Sequence, residues 1–448
     1  MIKWIHELRP TLALALPIML GQVSQMLMGI TDSMMIGHVG TVELAASAFT
    51  GAVFGVVFIG CIGLLQPGSV LVSRAHGAGL PEEAGVWQRH ARALAWAAGL
   101  GLGAVMAAGL LVAEHFGQPA EVVAVMGPYF ALIAVSLAPT LLFQADRQFA
   151  EALGRPWGPL GIMLGGVALN VGLNWVFIYG HLGLPAWGLT GAGVATLISR
   201  VAVVIVLRGW LARQVEFAPE VTAARTARVT VRHSREMLAL GVPMGAALFF
   251  EGGAFSAAAV MAGWLGTVPL AAHQIAISCA ALTFMVPLGL SIALAMRVGK
   301  AVGAGRREAV RPMAVGAVFL TCATAGVSTA AFVVAGDAVA GWFTPDLAVV
   351  ALAARVLVIA AVFQLFDGLQ VVFAGALRGL ADVQVPMWAA FVAYWVLALP
   401  AGYLFGVRGA GGLEWLWYAL AGGLALATAL LGWRLRLLTG AADQPRSG

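Results

Sequence analysis

The stretch LPIMLGQVSQMLMGITDSMMIGHVG, residues 16–40, has the length and the apolar character of a membrane-spanning helix. Three polar side chains interrupt it: Gln22, Gln25 and Asp32. Their spacing places them on one stripe of a helix. A carboxylate near the middle of a bilayer costs about 3 kcal/mol even on a lenient insertion scale. The stretch therefore predicts a membrane span that keeps an acid for a functional reason.

The composition of the whole chain extends this interpretation. Of its 448 residues, 61% are hydrophobic and only 10% are charged, whereas soluble domains are about 25% charged. A soluble protein this apolar could not cover its surface, so we expect a polytopic membrane protein. The net charge of +5 is spread over short loops rather than gathered in one patch, so we expect no nucleic-acid partner. No phosphate-binding loop or other enzyme motif appears, and we expect no enzyme.

Twelve apolar segments can each supply the ~20 residues that cross a bilayer. If the N-terminus is cytoplasmic, nearly all loop Arg and Lys residues fall on the inside and only Arg408 falls outside. This asymmetry follows the positive-inside rule and predicts that both termini are cytoplasmic. The predicted spans are residues 11–36, 46–73, 93–113, 122–145, 157–180, 187–210, 237–263, 270–297, 312–335, 347–373, 384–406 and 411–433.

An internal repeat divides the chain into two halves. Shifting the first half so that Pro17 meets Pro243 also aligns Gly63 with Gly289, without a gap. The longest polar connection, residues 211–236, separates the halves. Duplicated bundles with a site between them are a common plan of transporters. We therefore expect an N-terminal six-helix lobe at residues 1–210, a cytoplasmic linker at 211–236, and a C-terminal six-helix lobe with a short tail at 237–448.

Most acids lie in loops or near the ends of the predicted spans, but three do not: Asp32, Glu251 and Asp367. No basic residue is an obvious partner, because Arg355, on the helix of Asp367, lies about 18 Å away along it. An unpaired carboxylate in low dielectric attracts protons and other cations. The repeat places Gln25 opposite Glu251, so the halves carry different charge at one depth. The alternative is that each acid is protonated and only joins helices, but three such acids in one bundle favour a function.

Amide side chains accompany these acids. The segment NVGLN places Asn170 and Asn174 one turn apart, and Gln364 and Gln370 lie on the same helical arc as Asp367. We assign aromatic residues within spans, such as Tyr394, to packing or to lipid contact. The amides that we assign to the candidate site are Gln22, Gln25, Asn170, Asn174, Gln364 and Gln370.

Taken together, these residues resemble the multidrug and toxic compound extrusion (MATE) transporters, in their NorM-like bacterial branch. The resemblance rests on LPIMLGQVSQMLMGITDSMMIGHVGTVELAA in the first half and GVPMGAALFFEGGAFSAAAVMAGWLGTVPLAAHQIAIS in the second. The segments NVGLNWVFIYG, GLTGAGVATLISR and DGLQVVFAGALRG add to it. It covers nearly the whole chain.

The resemblance implies an all-α fold of twelve transmembrane helices, in two pseudo-symmetric six-helix lobes around a central cleft. It implies a multi-pass protein of the bacterial cytoplasmic (inner) membrane that exports organic cations and drugs by alternating access. The coupling ion is Na+ or H+, and no cofactor is expected. Its partners would be cationic amphipathic small molecules and the lipid bilayer, with no obligate protein partner.

The resemblance also assigns roles to residues. Asp32, Glu251 and Asp367 match the family's acids and would take the coupling cation and the charge of the substrate. Asn170, Asn174 and Thr196 match polar positions that complete a cation site with the first acid in some relatives. A Na+ ion is therefore expected either at Glu251 and Asp367 or at Asp32 and Asn174.

Two departures leave the coupling ion open. Another branch of the family has Asp where this chain has Asn174. Some sodium-coupled relatives have Tyr where this chain has Phe363, which removes an oxygen ligand. Branch membership alone favours Na+.

Two other functions compete with this interpretation. A lipid-linked oligosaccharide flippase of a related superfamily would bind phosphates and should favour Arg and Lys inside its spans, whereas these spans carry acids. An ion channel or a structural membrane subunit would not need two repeated lobes that can rock against each other.

Overall fold

The computed structural model describes residues 3–111, 118–409 and 411–440, and all regular structure within them is helical. The tail 441–448 and residues 112–113 of the third predicted span lie outside the described residues. The helices are α1 (Lys3–Gly37), α2 (Thr41–Gly77), α3 (Pro81–Ala108), α4 (Ala120–Val135), α5 (Leu137–Ala152), α6 (Trp157–Tyr179), α7 (Gly188–Ala212), α8 (Ala218–Thr226), α9 (Val231–Trp264), α10 (Thr267–Gly303), α11 (Val310–Gly341), α12 (Leu347–Gly379), α13 (Gln384–Ala390), α14 (Leu399–Ala401) and α15 (Gly412–Gly440).

Twelve helical segments of the described chain are long and apolar enough to cross a membrane. Helices α4 and α5 meet at Ser136 and form one of them, Ala120–Ala152. Another, Gln384–Arg408, joins α13 and α14 through wider π-type turns at Phe391–Ala398 and Gly402–Arg408. These segments confirm the predicted all-α fold and its number of spans.

Most of the helices are longer than the apolar segments that predicted them. Helix α3 begins at Pro81, twelve residues before the predicted start. The prediction started too late because the first turns of the helix carry Glu82, Glu83 and other polar residues. Acidic residues in a first turn favour a helix N-terminus but do not register as membrane hydropathy. The polar ends of the helices therefore escape a search for apolar runs.

The chain forms two compact units. One contains Met1–Met19 and Ala246–Gly448, and the other contains Leu20–Gly245. Helices α1 and α9 thus contribute residues to both units. The division into lobes at residues 1–210 and 237–448 stays a prediction.

Close helix crossings explain why the first part of α1 belongs to one compact unit and the first part of α9 belongs to the other. In the unit Leu20–Gly245, a Cβ on Gly63 of α2 would overlap the backbone of Gly245 in α9. In the other unit, a Cβ on Gly289 of α10 would overlap Met19 of α1. The repeat aligns Gly63 with Gly289 and Gly245 with Met19. Small residues let membrane helices approach closely, so equivalent crossings fasten α9 to one unit and α1 to the other.

The predicted linker, residues 211–236, is structured. It contains a short 3-10 turn, Val215–Phe217, followed by α8 and the start of α9. Helix α8 packs closely on α3, where a Cβ on Gly85 would overlap the carbonyl oxygen of Glu220. The linker therefore belongs to the packed unit Leu20–Gly245 rather than hanging free of it.

Candidate cation sites

A cluster of polar side chains surrounds Asp32 in the unit Leu20–Gly245. The Nδ2 of Asn174 donates to Oδ1 of Asp32 at 2.6 Å and to Oδ1 of Asn170 at 3.2 Å. Asn170 in turn donates to Oγ1 of Thr196 at 3.5 Å. Helices α1, α6 and α7 supply these four residues. The family resemblance places the same four residues in one site. We call them the Asp32 cluster.

One amide oxygen of the Asp32 cluster is not engaged in a hydrogen bond within the described part of the chain and is available to a ligand. Asn170 and Asn174 are completely buried and Thr196 is nearly so. Oδ1 of Asn174 has no hydrogen-bond partner among the described residues. A buried acceptor without a donor is destabilising unless something binds to it. The cluster can therefore offer both a carboxylate and an amide oxygen to a cation.

Arg200 was not assigned a role from the sequence, although a basic residue inside a span was a usable signal. It interacts electrostatically with Asp32. Its Nη1 donates to Oγ of Ser136 at 2.5 Å, and its guanidinium lies 4.6 Å from the centre of the Phe54 ring. Asp32 therefore has a basic residue, Arg200, within electrostatic range. The sequence alone did not reveal that the two are close.

The two glutamines of α1 do not join the Asp32 cluster. Gln22, about 15 Å from Asp32 along the helix, accepts at 2.9 Å from Nη2 of Arg147, which pairs with Glu151 at 2.7 Å. Gln25 makes no side-chain hydrogen bond among the described residues. Gln22 and Asp32, which the sequence places on one polar stripe, therefore contact different groups of residues.

A second cluster lies in the unit that contains Ala246–Gly448. Tyr394 donates its hydroxyl to Oε1 of Gln370 at 2.9 Å, and the Gln370 side chain interacts with Glu251. Asp367 interacts with Glu251 as a like charge, and Arg378 interacts with Glu251 electrostatically. We call Glu251, Asp367, Gln370 and Tyr394 the Glu251 cluster.

Tyr394 belongs to the Glu251 cluster, although the sequence alone assigns it to packing or to lipid contact. It is completely buried, on the π-type turns at Phe391–Ala398. Phe363, by contrast, faces an aromatic core, with ring centres 5.8 Å from Phe255 and 5.2 Å from Trp417. The hydroxyl missing at Phe363 therefore has a counterpart nearby, contributed by a different helix.

A cavity of about 20 Å³ adjoins Asp367. Oδ1 of Asp367 and Nε2 of Gln364 have no hydrogen-bond partner among the described residues. Four hydroxyls also line the cavity, and each donates to a backbone carbonyl of its own helix. These hydroxyls belong to Thr283, Thr321, Thr324 and Ser328.

The chemistry of this cavity suits a cation. A carbonyl oxygen can only accept, so each hydroxyl has committed its hydrogen and presents oxygen lone pairs to any further partner. A volume of this size holds about one water molecule or one small ion. Arg355, which the sequence excludes as a partner of Asp367, pairs with Glu414 at 2.7 Å. The cavity thus combines a carboxylate with neutral oxygen donors.

Comparisons with known proteins identify the family. The MatE family model matches residues 17–176 and 243–404. The chain is 33% identical over 437 residues to a "Probable multidrug resistance protein NorM" of Xylella fastidiosa (strain 9a5c), covering 97% of this chain and 92% of that protein.

Solved structures share the fold. A crystal structure described as MATE in the bent conformation has a TM-score of 0.88 at 20% identity, covering 98% of this chain and 99% of the other. A transporter of the MOP superfamily from Pyrococcus furiosus, described as having a binding pocket of reverse polarity that suggests a different function, also has a TM-score of 0.88 at 20% identity, covering 98% and 97%. With the family model and the NorM relatives, these findings establish that the chain belongs to the MATE family of membrane transporters, in its NorM-like bacterial branch.

Proposed function

We propose that this protein is a multidrug efflux antiporter that exports organic cations in exchange for Na+, and that Asp32, Glu251 and Asp367 bind the exchanged cations. The observation that carries the proposal is the set of oxygens around Asp367. A carboxylate oxygen without a donor faces hydroxyls whose hydrogens are already committed. The NorM relatives are named multidrug resistance proteins, which supports drugs as the exported class.

Na+ is favoured over H+ by the number of oxygen donors. A proton needs one basic atom, whereas hard metal cations take several oxygen ligands. The cavity beside Asp367 offers the carboxylate and hydroxyls, and Tyr394 adds a hydroxyl near Glu251. The alternative, H+ coupling, needs only one of the carboxylates, and efflux from liposomes under a gradient of Na+ alone or of H+ alone distinguishes the two.

The proposed exchange follows from charge. Glu251 and Asp367 repel each other when both are ionised, and a bound Na+ relieves that repulsion. Since a ligand shifts a conformational equilibrium only by its different affinities for the two states, Na+ must bind one state of the transporter more tightly. A cationic drug competes for the same negative charge and is released on the opposite side. We further propose that the protein lies in the inner membrane with both termini in the cytoplasm.

The fold alone does not decide the cargo, since a MOP transporter whose binding pocket is described as having reverse polarity, which suggests a different function, shares it. A flippase of lipid-linked oligosaccharides needs basic side chains to hold its phosphates. The two clusters here are instead built around carboxylates and amide oxygens. Their chemistry supports a cationic substrate.

The test is efflux of ethidium from bacteria that lack their own multidrug pumps. We expect Asp32→Asn, Glu251→Gln and Asp367→Asn each to reduce the rate of efflux at least about tenfold, because each removes one charge from a low-dielectric site. Asp337→Asn, which changes an exposed acid of α11, is the matched control and should leave efflux unchanged. Normal efflux by all three variants at normal expression would contradict the proposal.

A further inference from the structure

A second, larger cavity lies outside both clusters. It has a volume of about 710 Å³ and is formed by α3, α7 and the linker helix α8, all in the unit Leu20–Gly245. This volume is within the range of binding pockets for small molecules. None of the predicted site residues lines it. The lining residues that matter here are Arg89, Arg92, Trp96, Leu100, Arg208 and Arg225.

The cavity carries an excess of positive charge. Four of its lining residues are arginines and none is acidic. Arg92 and Arg208 each donate Nε to the completely buried Asp146, at 2.5 Å and 2.8 Å. Neither makes another hydrogen bond among the described residues, so their terminal guanidinium nitrogens remain available to a second acceptor. One carboxylate thus orients two guanidinium groups without neutralising both.

The other two arginines have no acid beside them. Arg89 and Arg225 are exposed and make no ion pair among the described residues. Like charges grouped around one cavity are stabilised by an anion, and the planar guanidinium group matches the oxygens of a phosphate. A phosphate group is therefore the chemistry that these four side chains would recognise.

The apolar side of the cavity points to a lipid as the source of the phosphate. Arg89, Arg92, Trp96 and Leu100 follow one another at three- and four-residue spacing, so they form one stripe of α3. Trp96 is 45% exposed and Leu100 is 60% exposed. Over about 16 Å the stripe passes from charged to aromatic to aliphatic. A phospholipid passes from headgroup to glycerol ester to acyl chain in the same order, and tryptophan favours the interfacial level.

We propose that this cavity binds the headgroup of an anionic phospholipid of the surrounding bilayer, with the phosphate among the four arginines and the acyl chains along Trp96 and Leu100. Basic pockets between transmembrane helices on the cytoplasmic side are suited to such headgroups. Because Arg225 belongs to α8 and Arg208 to α7, one bound lipid would also link the linker helix to the membrane spans.

The test is native mass spectrometry of the delipidated full-length protein, titrated with phosphatidylglycerol or with phosphatidylcholine. We expect one phosphatidylglycerol to bind preferentially. The double variant Arg89→Gln, Arg225→Gln should weaken that binding roughly 10- to 30-fold, from about a fivefold loss for each basic residue near a membrane surface. The matched control Arg213→Gln, Arg228→Gln removes two exposed charges of the same connection that do not line the cavity, and should bind as the wild type does.

A second variant and a competitor separate the remaining outcomes. Trp96→Ala keeps every arginine and should also weaken phosphatidylglycerol binding, whereas a millimolar excess of inorganic phosphate should not displace the lipid. Unchanged binding in both the double variant and Trp96→Ala would overturn the proposal. Complete displacement by inorganic phosphate would overturn it as well, because it would show a site for a soluble anion.

Discussion

At the scale of single residues, the Glu251 cluster shows how a buried carboxylate is held by neutral groups. Tyr394 donates to Oε1 of Gln370, which leaves the amide hydrogens of Gln370 to face Glu251. The tyrosine hydroxyl therefore orients the glutamine, whose side chain interacts with Glu251. Such a series of interacting side chains depends on every member, since a buried polar group that loses its partner costs about 1–3 kcal/mol.

Removing the Tyr394 hydroxyl tests this series of interactions from Tyr394 through Gln370 to Glu251. Tyr394→Phe keeps the buried ring but leaves Oε1 of Gln370 without its donor, so Gln370 is free to turn away from Glu251. We expect the Na+ concentration for half-maximal ethidium efflux to rise about tenfold, with little change in expression. Tyr403→Phe, whose hydroxyl accepts from Arg408 at an exposed position, is the control. Equal Na+ dependence in the two variants would show that the Tyr394 hydroxyl has no part in ion binding.

The acids of the site were predictable from the sequence and their partners were only partly so. Asp32, Glu251 and Asp367 stand out because a charge inside an apolar run is costly. Asn174 was found through the family resemblance, and its hydrogen bond to Asp32 is present. Tyr394 could not be assigned, because a tyrosine in a span is equally compatible with packing or with the interface. Arg200 carried a usable signal as a base inside a span, but only the folded chain brings it to Asp32.

At the scale of helices, Asp146 joins three elements. It lies on α5 and accepts hydrogen bonds from Gln88 and Arg92 of α3 and from Arg208 of α7. It is completely buried. Removing one member of a buried charge pair is far more destabilising than removing an exposed one, because the remaining charge loses its compensation.

Asp146→Asn should therefore destabilise the protein. We expect a loss of about 3 kcal/mol, which lowers the melting temperature of the purified protein by about 5–10 °C. Glu216→Gln breaks an ion pair with Arg155 in which both side chains are half-exposed or more, and exposed pairs contribute about 0–1 kcal/mol. Its melting temperature should match the wild type, and equal melting temperatures for the two variants would contradict this account of α3, α5 and α7.

The crossing of α2 and α9 makes a separate prediction. Gly63→Ala places a Cβ against the backbone of Gly245, which cannot move aside as a side chain could, so we expect a destabilisation of about 1–3 kcal/mol. Gly60→Ala, one turn earlier, meets nothing within 4 Å and should be neutral or stabilising, since alanine favours a helix. Thermal unfolding of the two purified variants compares them directly, and a Gly63→Ala protein as stable as Gly60→Ala would show that the crossing tolerates a methyl group.

Helix boundaries and connections were the least predictable elements. The polar start of α3 and the whole of α8 lie in segments that hydropathy reads as loop, yet both are helical. Their stability comes from packing on each other near Gly85 and Glu220, a contact between distant parts of the chain. Periodicity within one segment cannot reveal it.

At the scale of the whole molecule, each compact unit holds one carboxylate cluster. Asp32 lies on α1 and Glu251 on α9, which the internal repeat aligns. The two clusters nevertheless differ, since one joins its acid to amides and the other brings two acids together. Two related scaffolds have thus acquired different charge, one with a single acid in its cluster and the other with two.

If cations and drugs exchange at these carboxylates, transport by purified protein in liposomes should show it most directly. Ethidium efflux is measured under an imposed inward gradient of Na+ alone or of H+ alone, for the wild type and for the triple variant Asp32→Asn, Glu251→Gln, Asp367→Asn. We predict that the Na+ gradient accelerates efflux by the wild type and has no effect on the triple variant. Efflux that responds equally to the gradient in both proteins would contradict the account.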